Sequence, residues 1–195
     1  MLLGAASRLG LAPNLGDDVK ETVAALRRER PRLTADSPAT ENPAKRLAGQ
    51  LIGRIPVIWG AGLLAPVAAR WKTQLNENGK TCAYHETMPE LCHNSVVGVI
   101  FPDELLRRLA VVQLVTPRYQ HPRVGLRFDI TRELLLQEAI AVDVIEAHGE
   151  SRLAQQMTAL HFGDYVSYYV AMAYGVDPTP IPPIVMLKER LAEVN

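Results

Sequence analysis

Two cysteines in 195 residues are too few for a disulfide framework. Cys82 and Cys92 fit a reducing compartment, and the cytoplasm is the expected location. Charge of one sign is not in excess either, since 21 basic residues meet 21 acidic ones. Without a basic footprint, nucleic acid is excluded as a first partner. No apolar run reaches the roughly 20 residues of a membrane span. The opening MLLGAASRLGLAPNLGDD has no charged stretch ahead of a full apolar one, so it does not read as a secretory signal. Nucleotide signatures are missing as well. Gly60-Ala61-Gly62 lies between an apolar run and a helix, yet lacks the third glycine of a dinucleotide fingerprint and the Lys-Ser/Thr of a phosphate loop. Cys82, His85, Cys92 and His93 are capable zinc ligands at the wrong spacing for a zinc finger.

What is present is a hydrophobic content of 48% on a chain long enough for one domain with a real core. Residues 3–10 read as the end of a helix. Asp17 and Asp18 can cap the next, DDVKETVAALRRER, with a modest stripe of Val19, Val23, Ala24 and Leu26. PRLTADSPATENPA then reads as a surface linker. From Asn42 the pattern changes, with a short helix from Pro43 to Gly53 and an apolar strand, Ile55–Trp59. Further strands are expected at Lys80–His85, Val96–Phe101, Ala110–Thr116 and Ala141–Ala147. Between them come a short helix over DELLRRL and a longer one over Arg123–Ala139. One long helix spans 151–174 and ends at Gly175, and a last helix holds Lys188. Apolar strands alternating with helices predict an α/β fold, an open doubly wound parallel sheet flanked by helices, with an N-terminal helical arm. Ligands of such sheets sit outside the C-terminal ends of the strands. The Gly60–Gly62 turn and the Glu77–His93 region are both expected on that rim or the adjoining cleft.

The most informative stretch runs from Arg70 to Asn94. Leu64, Val67, Ala68, Trp71 and Leu75 share one helix face, and Arg70, Thr73, Gln74 and Glu77 share another. Gly79 is expected as the left-handed residue just past the helix end. Glu77 is then a carboxylate at the negative end of a helix, the unfavourable end for its charge. It is either a proton-abstracting base or a solvated end-of-helix residue. His93 follows a turn and is either a proton shuttle or a surface imidazole. His161 is expected to pack, and Tyr165, Tyr168, Tyr169 and Tyr174 form a stripe suited to core and subunit interface.

ENPAKRLAGQLIGRIPVIWGAG, VAARWKTQLNENGK, PELCHNSVVG and HFGDYVSYYVAMAYGVDPTP together resemble the C-terminal half of the bifunctional phosphoglucose/phosphomannose isomerases, two-domain sugar-isomerase (SIS) proteins. Q-x-N-E-N-x-K and PE-x-x-HN are the most specific parts. The resemblance implies a SIS-type domain over 42–195, with 1–41 an arm and linker left from a preceding domain. It implies isomerisation of glucose 6-phosphate, and of mannose 6-phosphate, to fructose 6-phosphate through a cis-enediol(ate), with no metal or organic cofactor. Glu77 would be the base, His93 the ring-opening acid/base reaching in from a partner subunit, and Lys188 an auxiliary donor. Gly60, Gly62, Gln74, Asn78 and Asn94 would bind substrate. The partners would be a hexose 6-phosphate and either a second copy of the chain or a separate first SIS half, with no membrane involved. Ser95 stands where the family has Glu. The first SIS domain, which in relatives supplies the phosphate-holding loop, is not seen before Asn42. The rival expectation is a non-catalytic sugar-phosphate-binding or assembly domain.

Overall fold

Strands as continuously apolar as Ile55–Trp59 and Ala110–Thr116 have no polar face to offer water, so both of their sides must be covered. The computed structural model, which describes residues 2–194, shows this cover. β1 (Ile55–Ala61), β2 (Tyr84–Met88), β3 (Leu109–Val115) and β4 (Ala141–Glu146) form a sheet in the order β2-β1-β3-β4, with all neighbours parallel. Ile58, Val112 and Leu114 belong to the core shared with α3 (Pro43–Leu51), α4 (Ala65–Glu77) and α7 (Arg152–Tyr174). Trp59, Val111 and Val115 belong to the opposite core, with Phe128 and Leu135 of α6 (Pro122–Gln137). This is the doubly wound α/β arrangement that the alternation of strands and helices predicts.

Short helices complete the chain: α1 (Leu2–Arg8), α5 (Asp103–Leu106) and α8 (Pro182–Ala192), with the longer α2 (Gly16–Leu33) lying along α7. Helix α2 differs from expectation in extent and in face. It continues through Pro31 to Leu33, which is buried and whose carbonyl accepts from the Tyr169 hydroxyl at 2.5 Å. Thr22 and Ala25 are buried, whereas Val19 and Val23 are each 41% exposed. Thr22 tolerates burial because its hydroxyl donates to the Asp18 carbonyl, 2.6 Å away. Neither Asp17 nor Asp18 caps this helix; Leu15 stands at the cap and both aspartates fall in the first turn.

Two strands also differ. β2 starts at Tyr84 rather than Lys80, because residues 80–83 complete the exit from α4, with the Thr81 amide donating to the Leu75 carbonyl at 3.1 Å. No strand forms over 96–101, so the sheet has four strands among the described residues where five are expected. Asn94 accepts from the Ser95 amide at 2.6 Å and starts a 3-10 turn over Ser95–Val97, and Gly98 weakens whatever strand could follow. Val97, Ile100 and Phe101 are left exposed. No helix among the described residues is long and apolar enough to cross a membrane.

Candidate active site

The helix stripe of Leu64, Val67, Ala68, Trp71 and Leu75 is buried throughout, as its spacing predicts. This fixes which face of α4 turns outward. Because α4 leads from the end of β1 back to the start of β2, it runs antiparallel to both. Its 13 residues span about 20 Å. Glu77, its last residue, therefore stands exposed at the edge where the strands begin, not on the C-terminal rim where it was expected.

Around Glu77 the motif side chains are engaged. The Gln74 amide donates to the Asp164 carboxylate at 2.6 Å, and the Asn78 amide donates to the Ser167 hydroxyl at 3.2 Å. Asp164 and Ser167 lie three apart on α7, bonded to Gln74 of α4 and to Asn78 just past its end, so the two helices are laced together around the Glu77 turn. The left-handed position falls on Lys80, at φ +51, and not on Gly79. A Cβ at 79 would lie 2.8 Å from the Leu75 carbonyl oxygen, so close approach, rather than φ, demands glycine there. The Lys80 ammonium donates to the Glu77 carbonyl at 2.6 Å.

The second half of the site lies at the exit of β2. A 3-10 turn over Glu90–His93 carries His93, which is exposed, and Asn94 follows it. The Ser95 hydroxyl donates to the Glu86 carboxylate and lies 3.0 Å from Asn94 Oδ1. Glu86 sits within β2, half-buried, and so ties the His93-Asn94 turn to the sheet. Replacing Glu86 with Ala is expected to cost about 1.5–3 kcal/mol, as for a hydrogen bond to a charged group. It should also speed hydrogen exchange of the 94–97 amides. Denaturant melts and exchange mass spectrometry check both, and unchanged exchange would show that the turn is held by other means.

The two halves do not meet within one chain. β2 alone separates them by about 13 Å, and His93 lies beyond its far end. Lys188 is exposed on α8, a helix with no buried residue. The loop leading into α8 is bonded to Lys80, so the structure brings the root of α8 to Glu77 and keeps His93 away.

Gly60 and Gly62 serve the turn. Gly60 is buried in β1, and a Cβ there would lie 2.6 Å from the Leu64 carbonyl oxygen and 2.9 Å from the Ala68 methyl. It lets the start of α4 close on the strand. Gly62 is exposed at φ +46 with open space around it. Cys82 is exposed, while Cys92 packs with its Sγ 3.4 Å from the Met88 Sδ, and burial pushes its thiol pKa up. His161 is half-buried, edge-on to Tyr165 with ring centroids 5.0 Å apart. Burial lowers its pKa, against the pull of the Glu29 and Asp164 carboxylates. Sequence reasoning missed Glu86, Asp164 and Ser167. Asp164 and Ser167 share a helix spacing that would pair with Gln74 and Asn78, but nothing in the sequence says which helices touch.

A parallel sheet with this helix arrangement is the architecture of sugar-phosphate isomerase structures. The glucose-6-phosphate isomerase like protein of Thermus thermophilus superposes with a TM-score of 0.74 at 30% identity, over 87% of this chain and 57% of that one. A putative sugar-phosphate isomerase from Listeria monocytogenes shares the fold with a TM-score of 0.58 at 14% identity, over 84% of this chain and 90% of its own. The chain belongs to the family of the bacterial phospho-glucose isomerase C-terminal SIS domain, whose model matches residues 40–191. It is 39% identical over 189 residues to the bifunctional phosphoglucose/phosphomannose isomerase of Caldicellulosiruptor bescii, covering 96% of this chain and 56% of that protein. The protein of the same name from Aquifex aeolicus is 39% identical over 147 residues, 75% of this chain and 45% of its own. The chain thus spans about half the length of the curated relatives it matches.

Proposed function

We propose that this domain carries out aldose–ketose isomerisation of a hexose 6-phosphate, interconverting glucose 6-phosphate or mannose 6-phosphate with fructose 6-phosphate. The observation that carries the reading is the state of Glu77. It is exposed on the end of a helix laced to its neighbour, and its carboxylate makes no hydrogen bond among the described residues. A carboxylate left unpaired on an anchored helix end suits proton abstraction from carbon. Glu77 takes the proton from C2 of the open-chain aldose. The electrons move into the C1 carbonyl to give the enediolate, the proton returns at C1, and the proton of the C2 hydroxyl passes to the C1 oxygen as C2 becomes the ketone. His93 protonates the ring oxygen as the ring opens, and Lys188 donates to the same oxygen. The chemistry asks for no metal or organic cofactor.

The division of Glu77 and His93 between opposite ends of the sheet supports a site completed by a second chain, either another copy or a separate first SIS half. Residues 42–195 form the SIS-type unit, with 1–41 as its arm and tether. The two unpaired cysteines support the cytoplasm as the location. The same division also supports a second reading, a sugar-phosphate-binding or assembly domain without turnover. A coupled assay for fructose 6-phosphate formation from each aldose separates the two. Isomerase turnover should fall by about 10²–10⁴ in Glu77→Gln. Absence of turnover in the parent chain would favour the binding domain or a site that needs the separate first SIS half.

A further inference from the structure

Lys80 closes the Q-x-N-E-N-x-K run, and neither the proposed chemistry nor the lacing of α4 to α7 uses it. Its backbone is unusual: φ is +51, a region that residues with a side chain seldom enter. Glycine would hold that conformation without strain, yet the position carries a lysine. The amine accounts for the choice. A lysine ammonium has three protons to donate. Here they meet three backbone carbonyls, those of Glu77 at 2.6 Å, Pro180 at 2.6 Å and Pro178 at 3.1 Å. The first is one of the unpaired carbonyls at the C-terminus of α4, where a cation is also favoured by the helix dipole. The other two lie about a hundred residues further along the chain.

The segment that receives Lys80 is built for such a contact. No backbone amide among the described residues donates to the Pro178 or Pro180 carbonyl, so Lys80 is the donor they meet. Between them the Thr179 amide donates to the Asp177 carboxylate at 2.8 Å, which turns the loop. α8 begins two residues after Pro180 and buries none of its own side chains, so its position is set at its root. Lys188 lies six residues into α8, about 9 Å along its axis.

We infer that Lys80 is a positioning residue, a clamp that pins the Pro178–Pro180 loop to the end of α4 and thereby sets where α8, which carries Lys188, departs from the Glu77 end of that helix. The clamp itself stands on geometry alone; its value for turnover rests on the isomerase reading above. Two measurements on the full chain keep these apart. Hydrogen exchange over 181–192 should rise at least tenfold in Lys80→Met, and Lys80→Arg should recover part of the protection. Lys80→Gly, which relieves the backbone, should behave like Lys80→Met. In the coupled assay, Lys80→Met should lower kcat about as far as Lys188→Ala does. The double variant should fall no further than Lys188→Ala alone, a non-additivity that general destabilisation does not produce. Unchanged exchange in Lys80→Met would overturn the clamp. Faster exchange with fully additive kinetic losses would overturn the positioning role. If the parent chain shows no turnover by itself, the exchange data still decide the clamp.

Discussion

Mixing Glu77→Gln chains with His93→Ala chains in equal amounts is expected to restore about a quarter of parental turnover, although each variant alone is nearly inactive. The figure follows from a two-fold assembly. Half of the randomly formed dimers contain one chain of each kind. In each of these, one site combines both defects and the other combines an intact Glu77 with an intact His93. Each variant alone should lose about 10²–10⁴ in kcat, the usual contribution of a placed acid or base. The physical basis is the path of α4, which carries Glu77 to the edge where the strands start, while His93 follows the end of β2. No side-chain rotation closes a gap as long as a strand. The chains must be unfolded and refolded together, or co-expressed, so that subunits exchange. Recovery would show a shared site. Failure of the mixture, with both single variants inactive and both dimeric, would place base and acid in one chain and overturn the division read from the topology.

The second large effect concerns stability. Gly163→Ala should destabilise the fold by about 3 kcal/mol, a fall in Tm of about 6–12 °C for a chain of this size. Helix propensity alone predicts the opposite sign, since alanine is better than glycine in a helix interior by about 1 kcal/mol. The contact decides. A Cβ at 163 would stand 2.2 Å from Trp71 Nε1 and 2.4 Å from its Cε2. Trp71 is 1% exposed and donates to the Ala159 carbonyl at 2.8 Å, so the ring has nowhere to go and a buried hydrogen bond to lose. Calorimetry of Gly163→Ala in the parent and in a Trp71→Leu background makes the test specific. With the indole gone, the added methyl should cost less than about 1 kcal/mol. Equal costs in both backgrounds would refute the contact as the cause.

The parts of this fold legible in the sequence are those where one physical demand dominates. The stripe from Leu64 to Leu75 is readable because helix period and burial coincide along it. β1 and β3 are readable because a strand buried on both faces is apolar almost throughout. The run from Val96 to Phe101 has much the same composition and forms no strand, because Asn94 starts a turn there instead. The buried face of α2 was unreadable, since α7 selects Thr22 and Ala25 over the more apolar Val19 and Val23. The family was legible in the motif runs, and the family match bears that resemblance out. The supports of those runs, Glu86, Asp164 and Ser167, were not legible. Each is a long-range partner, and nothing local distinguishes it from a solvated polar residue.

The antiparallel run of α4 has a consequence for how such a protein responds to its own abundance. If base and acid come from two chains, as proposed, the reaction centre would exist only while those chains are associated. Its specific activity then obeys mass action, constant at high concentration and falling on dilution once association is lost. Supply of the chain, and not only supply of sugar phosphate, would set the flux through the reaction.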